Sequence, residues 1–180
     1  MNKVAVTPAV DSTGYKSLQV TALVTLRMLI GWHLFYEGLA KVTNQYWTSA
    51  GYLSESKFIL SELFLAIAAN PTALLFVDFV NKWGLVVIGL ALLLGCFTRV
   101  ATIAAIILLA LYYIAAPPFV GYVYSMPSEG SYLIVNKVLI ELAALVVLAA
   151  FPTGRIVGLD RLWSWKKGTS EMAALAEGVR

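Results

Sequence analysis

Charge is scarce in this chain. Only 13% of its 180 residues are charged, against 60% hydrophobic, and the mean hydropathy of +0.81 is far above that of a soluble domain of this length. A water-soluble fold is excluded, and a membrane protein is expected. Cysteine is almost absent as well. Cys96 stands alone, which rules out an internal disulfide, a dithiol relay and any cysteine-based cluster or zinc site, and leaves it as a small buried hydrophobe. One histidine cannot make a haem ligand pair, and there is no nucleotide-binding motif and no metal-ligand cluster. The 13 Lys and Arg residues give a net charge of +3 but are scattered, which argues against nucleic acid as a partner. Low-complexity sequence is missing. Residues 1–17 are polar, and no small-residue cleavage site follows the first apolar run, so a removable signal peptide is not expected.

What is present is long apolar runs. With about 20 residues per crossing, 180 residues accommodate about four spans in one domain over residues 1–180. The runs 18–40, 83–98, 100–116 and 132–152 qualify. A fifth candidate, KFILSELFLAIAANPTALLFVDFVN over 57–81, is broken by the helix-start pair Asn70–Pro71 and carries Glu62 and Asp78. It reads as two short amphipathic helices lying at the outer surface. Four spans place Lys3, Lys16, Arg99, Arg155, Arg161, Lys166, Lys167 and Arg180 on one side, and Lys41, Lys57 and Lys82 on the other. By the positive-inside rule both termini, 1–17 and 153–180, are then cytoplasmic, in a bacterial inner membrane. Five spans would put the RLWSWKK tail outside. Trp163, Trp165, Lys166 and Lys167 are expected to anchor that tail at the inner headgroups, and the tyrosine-bearing stretch PPFVGYVYSMPSEGSY to form an outer interfacial loop. The fold class is therefore all-α: an integral membrane four-helix bundle with short amphipathic outer helices between spans one and two. Gly84, Ala91 and Gly95 share one face of span two, as close helix packing requires.

The first span is the informative one. RMLIGWHLFYEGLAK, residues 27–41, carries Arg27, His33, Glu37 and Lys41 in an apolar run. Projected at 100° per residue from Arg27, the other three fall near about 240°, 280° and 320°. They form one polar stripe, backed by Met28, Leu29, Trp32, Phe35, Tyr36 and Leu39. A charge at the centre of a helix in lipid costs about 2.5–3.5 kcal/mol even on lenient insertion scales, so the stripe must face the bundle interior. His33–Glu37 and Glu37–Lys41 are i,i+4 pairs, as is Lys137–Glu141 in span four. At 1.5 Å per residue, Lys137 and Glu141 lie about 8 and 14 Å below the outer boundary, matching the depth of Glu37 and Lys41. One cluster of His33, Glu37, Lys41, Asn136, Lys137 and Glu141 follows, with Arg27 left alone in the inner half. Tyr36, Tyr46, Trp47, Tyr52, Tyr112, Tyr113, Tyr122 and Tyr124 either wall a flat ligand beside that cluster or form an interfacial belt. Three readings stay open: a proton-handling ligand pocket, an ion-pair network that only fixes helix register, and a small-solute or proton pathway.

RMLIGWHLFYEGLAKV, WGLVVIGLALLLGCFTRVA and LIELAALVVLAAFPTGRIVGLDRLW together resemble the DoxX family over about residues 25–163. The resemblance rests on Gly31, Glu37, Gly38 and Lys41, on the GxxTR turn and on the terminal GRxxGLD. It implies a four-helix membrane protein. In one branch, DoxD, the relative is the small subunit of a thiosulfate:quinone oxidoreductase, and WTSAGYL, Trp47 to Leu53, looks like that branch. The expectation is a membrane subunit of a quinone-linked oxidoreductase that binds quinone, holds no metal and docks a separate catalytic subunit. Glu37, Lys41, Arg99, Gly154, Arg155 and Asp160 correspond to recurring positions of the family, the last four of them serving folding or topology.

Overall fold

The computed structural model describes residues 16–125, 133–154 and 156–161. Among the described residues six helices follow one another: α1 Ser17–Thr43, α2 Ala50–Ser54, α3 Ser61–Ala69, α4 Pro71–Leu94, α5 Thr98–Ala115 and α6 Lys137–Ala150. Among the described residues there is no strand. Helices α1, α4 and α5 are each long and apolar enough to cross a membrane. The expected tails 1–15 and 162–180, with the Trp163–Lys167 anchor, and Arg155 lie outside the described residues, as do residues 126–132 of the expected outer loop.

Helices α1 and α5 fall close to the expected spans at 18–40 and 100–116. The second span does not. Residues 71–81, expected as a surface helix, are the first half of α4, one unbroken helix of 24 residues. The Asn70–Pro71 pair does start it: the Asn70 side chain accepts from the amides of Thr72 at 3.0 Å and Ala73 at 3.2 Å, and Pro71 takes the position whose missing N–H costs nothing. Asp78 marks no water interface. It is buried and accepts from the amide of Ser49 at 2.8 Å and from the Ser49 hydroxyl. Lys82, expected in an outer connection, sits inside α4 with its ammonium 5.3 Å from the Trp47 ring. The last helix is shorter than the expected 132–152. Asn136 caps it through the Leu139 amide at 2.9 Å, and its 14 residues extend about 21 Å.

Glycine sets the tightest contact, between α1 and α4. A Cβ on Gly89 would collide with the backbone nitrogen of Phe35, and one on Gly38 would come within 2.6 Å of the Val86 nitrogen, so only hydrogen lets these backbones meet. Gly84, expected with Ala91 and Gly95 to allow close helix packing, meets nothing within 4 Å. Ile30, Leu34, Leu85, Leu92, Ala105, Leu109 and Leu145 fill the core between α1, α4, α5 and α6. Met28, Leu29, Trp32, Tyr36 and Leu39 on the back of α1 are exposed; Phe35 of that set is half-buried, and it is its backbone that meets Gly89.

The end of the molecule that holds Arg27 is tied by its last described segment. The turn between α4 and α5 puts Gly95 (φ 67°) and Phe97 (φ 48°) in the left-handed region, and Phe97 gives α5 no side-chain cap. Asp160 supplies one from 62 residues away. Its carboxylate accepts from the amides of Phe97 at 2.7 Å and Thr98 at 3.0 Å and from the Thr98 hydroxyl at 2.7 Å, while its own amide donates to the Gly95 carbonyl at 2.9 Å. Gly154 has no room for a Cβ, which would lie 2.6 Å from an Asp160 oxygen. Arg27, expected to be left alone in the inner half, has partners. It is buried, and its guanidinium donates to the Thr153 hydroxyl at 3.2 Å and the Val157 carbonyl at 2.9 Å. Partial burial raises the Asp160 pKa, but the Thr98 and Phe97 hydrogen bonds and the Arg27 charge outweigh it and hold the carboxyl below its ordinary 3.8.

Two outcomes are expected in thermal unfolding of detergent-solubilised protein. Gly89→Ala should destabilise by about 1–3 kcal/mol through overpacking, whereas Gly84→Ala should be neutral or stabilise by about 0.5–1 kcal/mol. Asp160→Asn should cost about 0.5–2 kcal/mol, the range for a lost helix cap. Because the native pKa of Asp160 is depressed, its contribution is complete above the unfolded-state pKa, about 3.9, and fades as pH falls through the lower native value. The wild-type and Asp160→Asn melting curves should therefore converge as pH falls through that native value.

Candidate functional site

At the opposite end, a cavity of about 350 Å³ opens between α1, α4, α5 and α6, beneath the segment that carries α2. Helix α1 places His33, Glu37 and Lys41 along it at i, i+4 and i+8, and α6 contributes Lys137 and Glu141 from its first two turns. Five of the six residues expected to cluster thus line one space. Asn136 does not; its side chain is committed to capping α6, which sets Lys137 as the first helical residue.

His33 departs from the expected i,i+4 scheme. His33 reaches across to α6, its Nδ1 lying 2.9 and 3.0 Å from the two Glu141 oxygens. The Glu141 side chain is only 12% exposed, and a carboxylate buried to that degree needs a hydrogen-bond partner. Glu37, more exposed, keeps the expected partner, with Lys41 Nζ 3.6 Å away. The Lys41 ammonium also lies 5.5 Å from the centroids of both the Trp47 and Tyr112 rings, where the ring quadrupoles attract it. Two lysines, Lys41 and Lys137, two glutamates, Glu37 and Glu141, and the His33 imidazole thus line one space.

Of the aromatic residues singled out in the sequence, Trp47, Tyr52 and Tyr112 wall the cavity. Tyr112 donates to the Asn81 side-chain oxygen at 2.9 Å, and Tyr52 donates to the Tyr112 carbonyl at 2.7 Å. Burial pushes the Tyr52 hydroxyl well above the ordinary tyrosine pKa, so it remains a donor. Tyr36 and Tyr46 are exposed on the outside, and Tyr113 donates to the Ile134 carbonyl at 2.6 Å. Tyr122 and Tyr124 belong to the loop after α5, which docks on the α2–α3 connection. There Lys57 donates to the Val123 carbonyl at 2.6 Å, the Ser125 amide to Glu55 at 2.7 Å, and Phe58 meets Phe119 edge-on at 5.0 Å.

Asn81 and the Asp78 anchor fall within 57–81, the stretch expected at the surface, and Ser49 lies in the connection after α1, where no spacing singles it out. A signal was there. Asp78, Asn81, Leu85, Gly89 and Leu92 recur at intervals of three and four, the stripe of one buried helical face, and all five are buried. The stripe runs through the boundary drawn at residue 82.

The residues expected to serve folding lie elsewhere. Arg27, Gly154 and Asp160 are together at the other end, and Arg99 is an exposed second residue of α5 beside them. Among the described residues no group of three or more His, Cys, Asp or Glu side chains could hold a metal ion. Compared with protein-family models, curated proteins and solved structures, the chain matches none, so the DoxX resemblance rests on the residues quoted for it.

Proposed function

We propose that the protein is a membrane subunit of a quinone-linked oxidoreductase, and that the cavity beside Lys41 binds the quinone headgroup. In this reading α1, α4, α5 and α6 form a four-helix bundle across a bacterial inner membrane, with the Arg27 end cytoplasmic and the cavity in the outer half. Helix α6 is short and crosses with the apolar residues flanking it and with local thinning of the bilayer. A docked catalytic subunit delivers the electrons.

One observation carries the reading: two charge pairs border open space that is mostly apolar and aromatic-walled. At 350 Å³ the cavity is within the range of about 300–1,000 Å³ for small-ligand sites. The contrast with the Arg27 end is physical. There the polar groups are packed together and the adjoining crevice holds only about 10 Å³, as expected of groups that only lock helices. Lys41 and Lys137 offer N–H donors to a carbonyl oxygen, Trp47 and Tyr112 offer flat faces to a ring, and His33, Glu141 and Glu37 can pass protons. Two-electron reduction of a quinone takes up two protons, and this set of groups can deliver them. The DoxX resemblance, and the DoxD-like WTSAGYL stretch that contributes Trp47, Ser49 and Tyr52 to the wall, supports the same assignment.

A second reading, a helix lock, draws on the His33–Glu141 bond, which joins α1 to α6. The two are separated by titrating a short-chain benzoquinone into purified protein in lipid nanodiscs. Wild type should bind saturably, and Lys41→Met and Glu141→Gln should each weaken binding by about tenfold or more, which is about 1.4 kcal/mol. The Glu37→Leu/Lys41→Leu double variant should keep a near-wild-type melting temperature yet lose binding. Unchanged affinity in all three variants would sink the proposal.

A further inference from the structure

A second cavity, of about 210 Å³, adjoins the first. Its lining is almost wholly apolar, with Val77 and Val80 from α4, Leu108 and Leu111 from α5, and Phe64 from α3. Four residues, Ser49, Tyr52, Asn81 and Tyr112, line both cavities. They form a partition with the charged space on one side and the dry space on the other. Phe76, Val80 and Leu111, which border the dry cavity, are also exposed on the outer surface of the helices, so it opens along the α4–α5 seam to the surroundings of the apolar helices.

The partition is thin. It consists of side chains, with Tyr52 on the five-residue α2 and Tyr112 on the last turn of α5, their rings edge-on at 6.1 Å. Tyr112 holds to Asn81 by its hydroxyl, and Tyr52 to the Tyr112 carbonyl, so these two rings are what would have to rotate for the spaces to join. An apolar void of this size holds no water and costs packing contacts when empty. A charged and aromatic chamber that shares a wall with an apolar one fits an amphiphile with a flat hydrogen-bonding head and a hydrocarbon chain.

Building on the quinone-site reading, we infer that the apolar cavity takes the hydrocarbon tail of the same ligand whose headgroup lies against Lys41 and His33. The ligand enters from the bilayer through the α4–α5 seam, and the protein selects tailed, membrane-resident quinones over tailless ones.

The test compares two probes with the same benzoquinone head, one bearing a decyl chain and one a methyl group, on purified full-length protein in phosphatidylcholine nanodiscs. Val80→Trp on α4 and Leu111→Trp on α5 each fill the apolar cavity without touching the charged one. Each should weaken the decyl probe about tenfold or more and leave the methyl probe within about twofold. Equal weakening of both probes, or none for the decyl probe, overturns the tail assignment and leaves the headgroup site standing; in the latter case the cavity belongs to a bilayer acyl chain. Failure of both probes to bind wild type overturns both readings. A readout that needs no variant is photolabelling by a decyl probe with a diazirine at the chain end. Labels on α4 and α5 near Val80 and Leu111 are expected, and labels confined to α1 or α6 overturn the inference.

Discussion

Hydrocarbon offers no hydrogen bond and solvates no charge, so each ionisable group that α1 carries into the apolar interior has to be met by the protein itself. That requirement organises the molecule. Arg27 is met by Thr153 and the Val157 carbonyl, which draws the segment after α6 under the bundle. His33 is met by Glu141, which draws α6 against α1. Lys41 is met by Glu37 and by two aromatic faces, which brings the α1–α2 connection back over the helix ends. The polar stripe is thus the seam along which the other elements are placed.

The two ends of the seam differ in what surrounds the charge. Around Arg27 and Asp160 the backbone closes in through Gly95, Gly154 and Gly158, none of which has space for a Cβ, and the result is a rigid knot. Around Lys41 the bulk comes from tyrosine and tryptophan on a short helix and a connection, held to α4 by the Ser49–Asp78 bond. Rings on such a frame leave space between them. The same economy of paired charge makes a clasp at one end and a chamber at the other, and the tight contacts of Gly38 with Val86 and of Gly89 with Phe35 between α1 and α4 fix the register that keeps them apart.

Much of this was legible in the chain. The 100° projection set Arg27, His33, Glu37 and Lys41 on one face, depth matching put Lys137 and Glu141 opposite, and the Glu37–Lys41 pair follows from spacing alone. The misreadings share one cause. Asp78, Asn81 and Lys82 were assigned to water because they are polar, yet each has a partner within the fold, in Ser49, Tyr112 and Trp47 respectively. Asn136 was placed in the cluster by its depth but is used by its own backbone, since an asparagine before a helix is a better cap than a ligand. Asp160 and Gly95, 65 residues apart, show no local sign that one segment caps the other's turn.

Composition and periodicity by themselves determined that the chain is helical and apolar, where α1 and α5 run, that Asn70–Pro71 opens a helix, and which side chains of α1 face inward. These are properties of single segments, and hydropathy and the 3.6-residue repeat read them directly. Only the tertiary structure decided that His33 pairs with Glu141 rather than Glu37, that α4 is one helix and that Asp160 caps α5. It alone showed that a charged chamber and an apolar one share a wall of Ser49, Tyr52, Asn81 and Tyr112. Each of these depends on groups from different segments meeting in space, and on the volume left between them, which no one-dimensional pattern records.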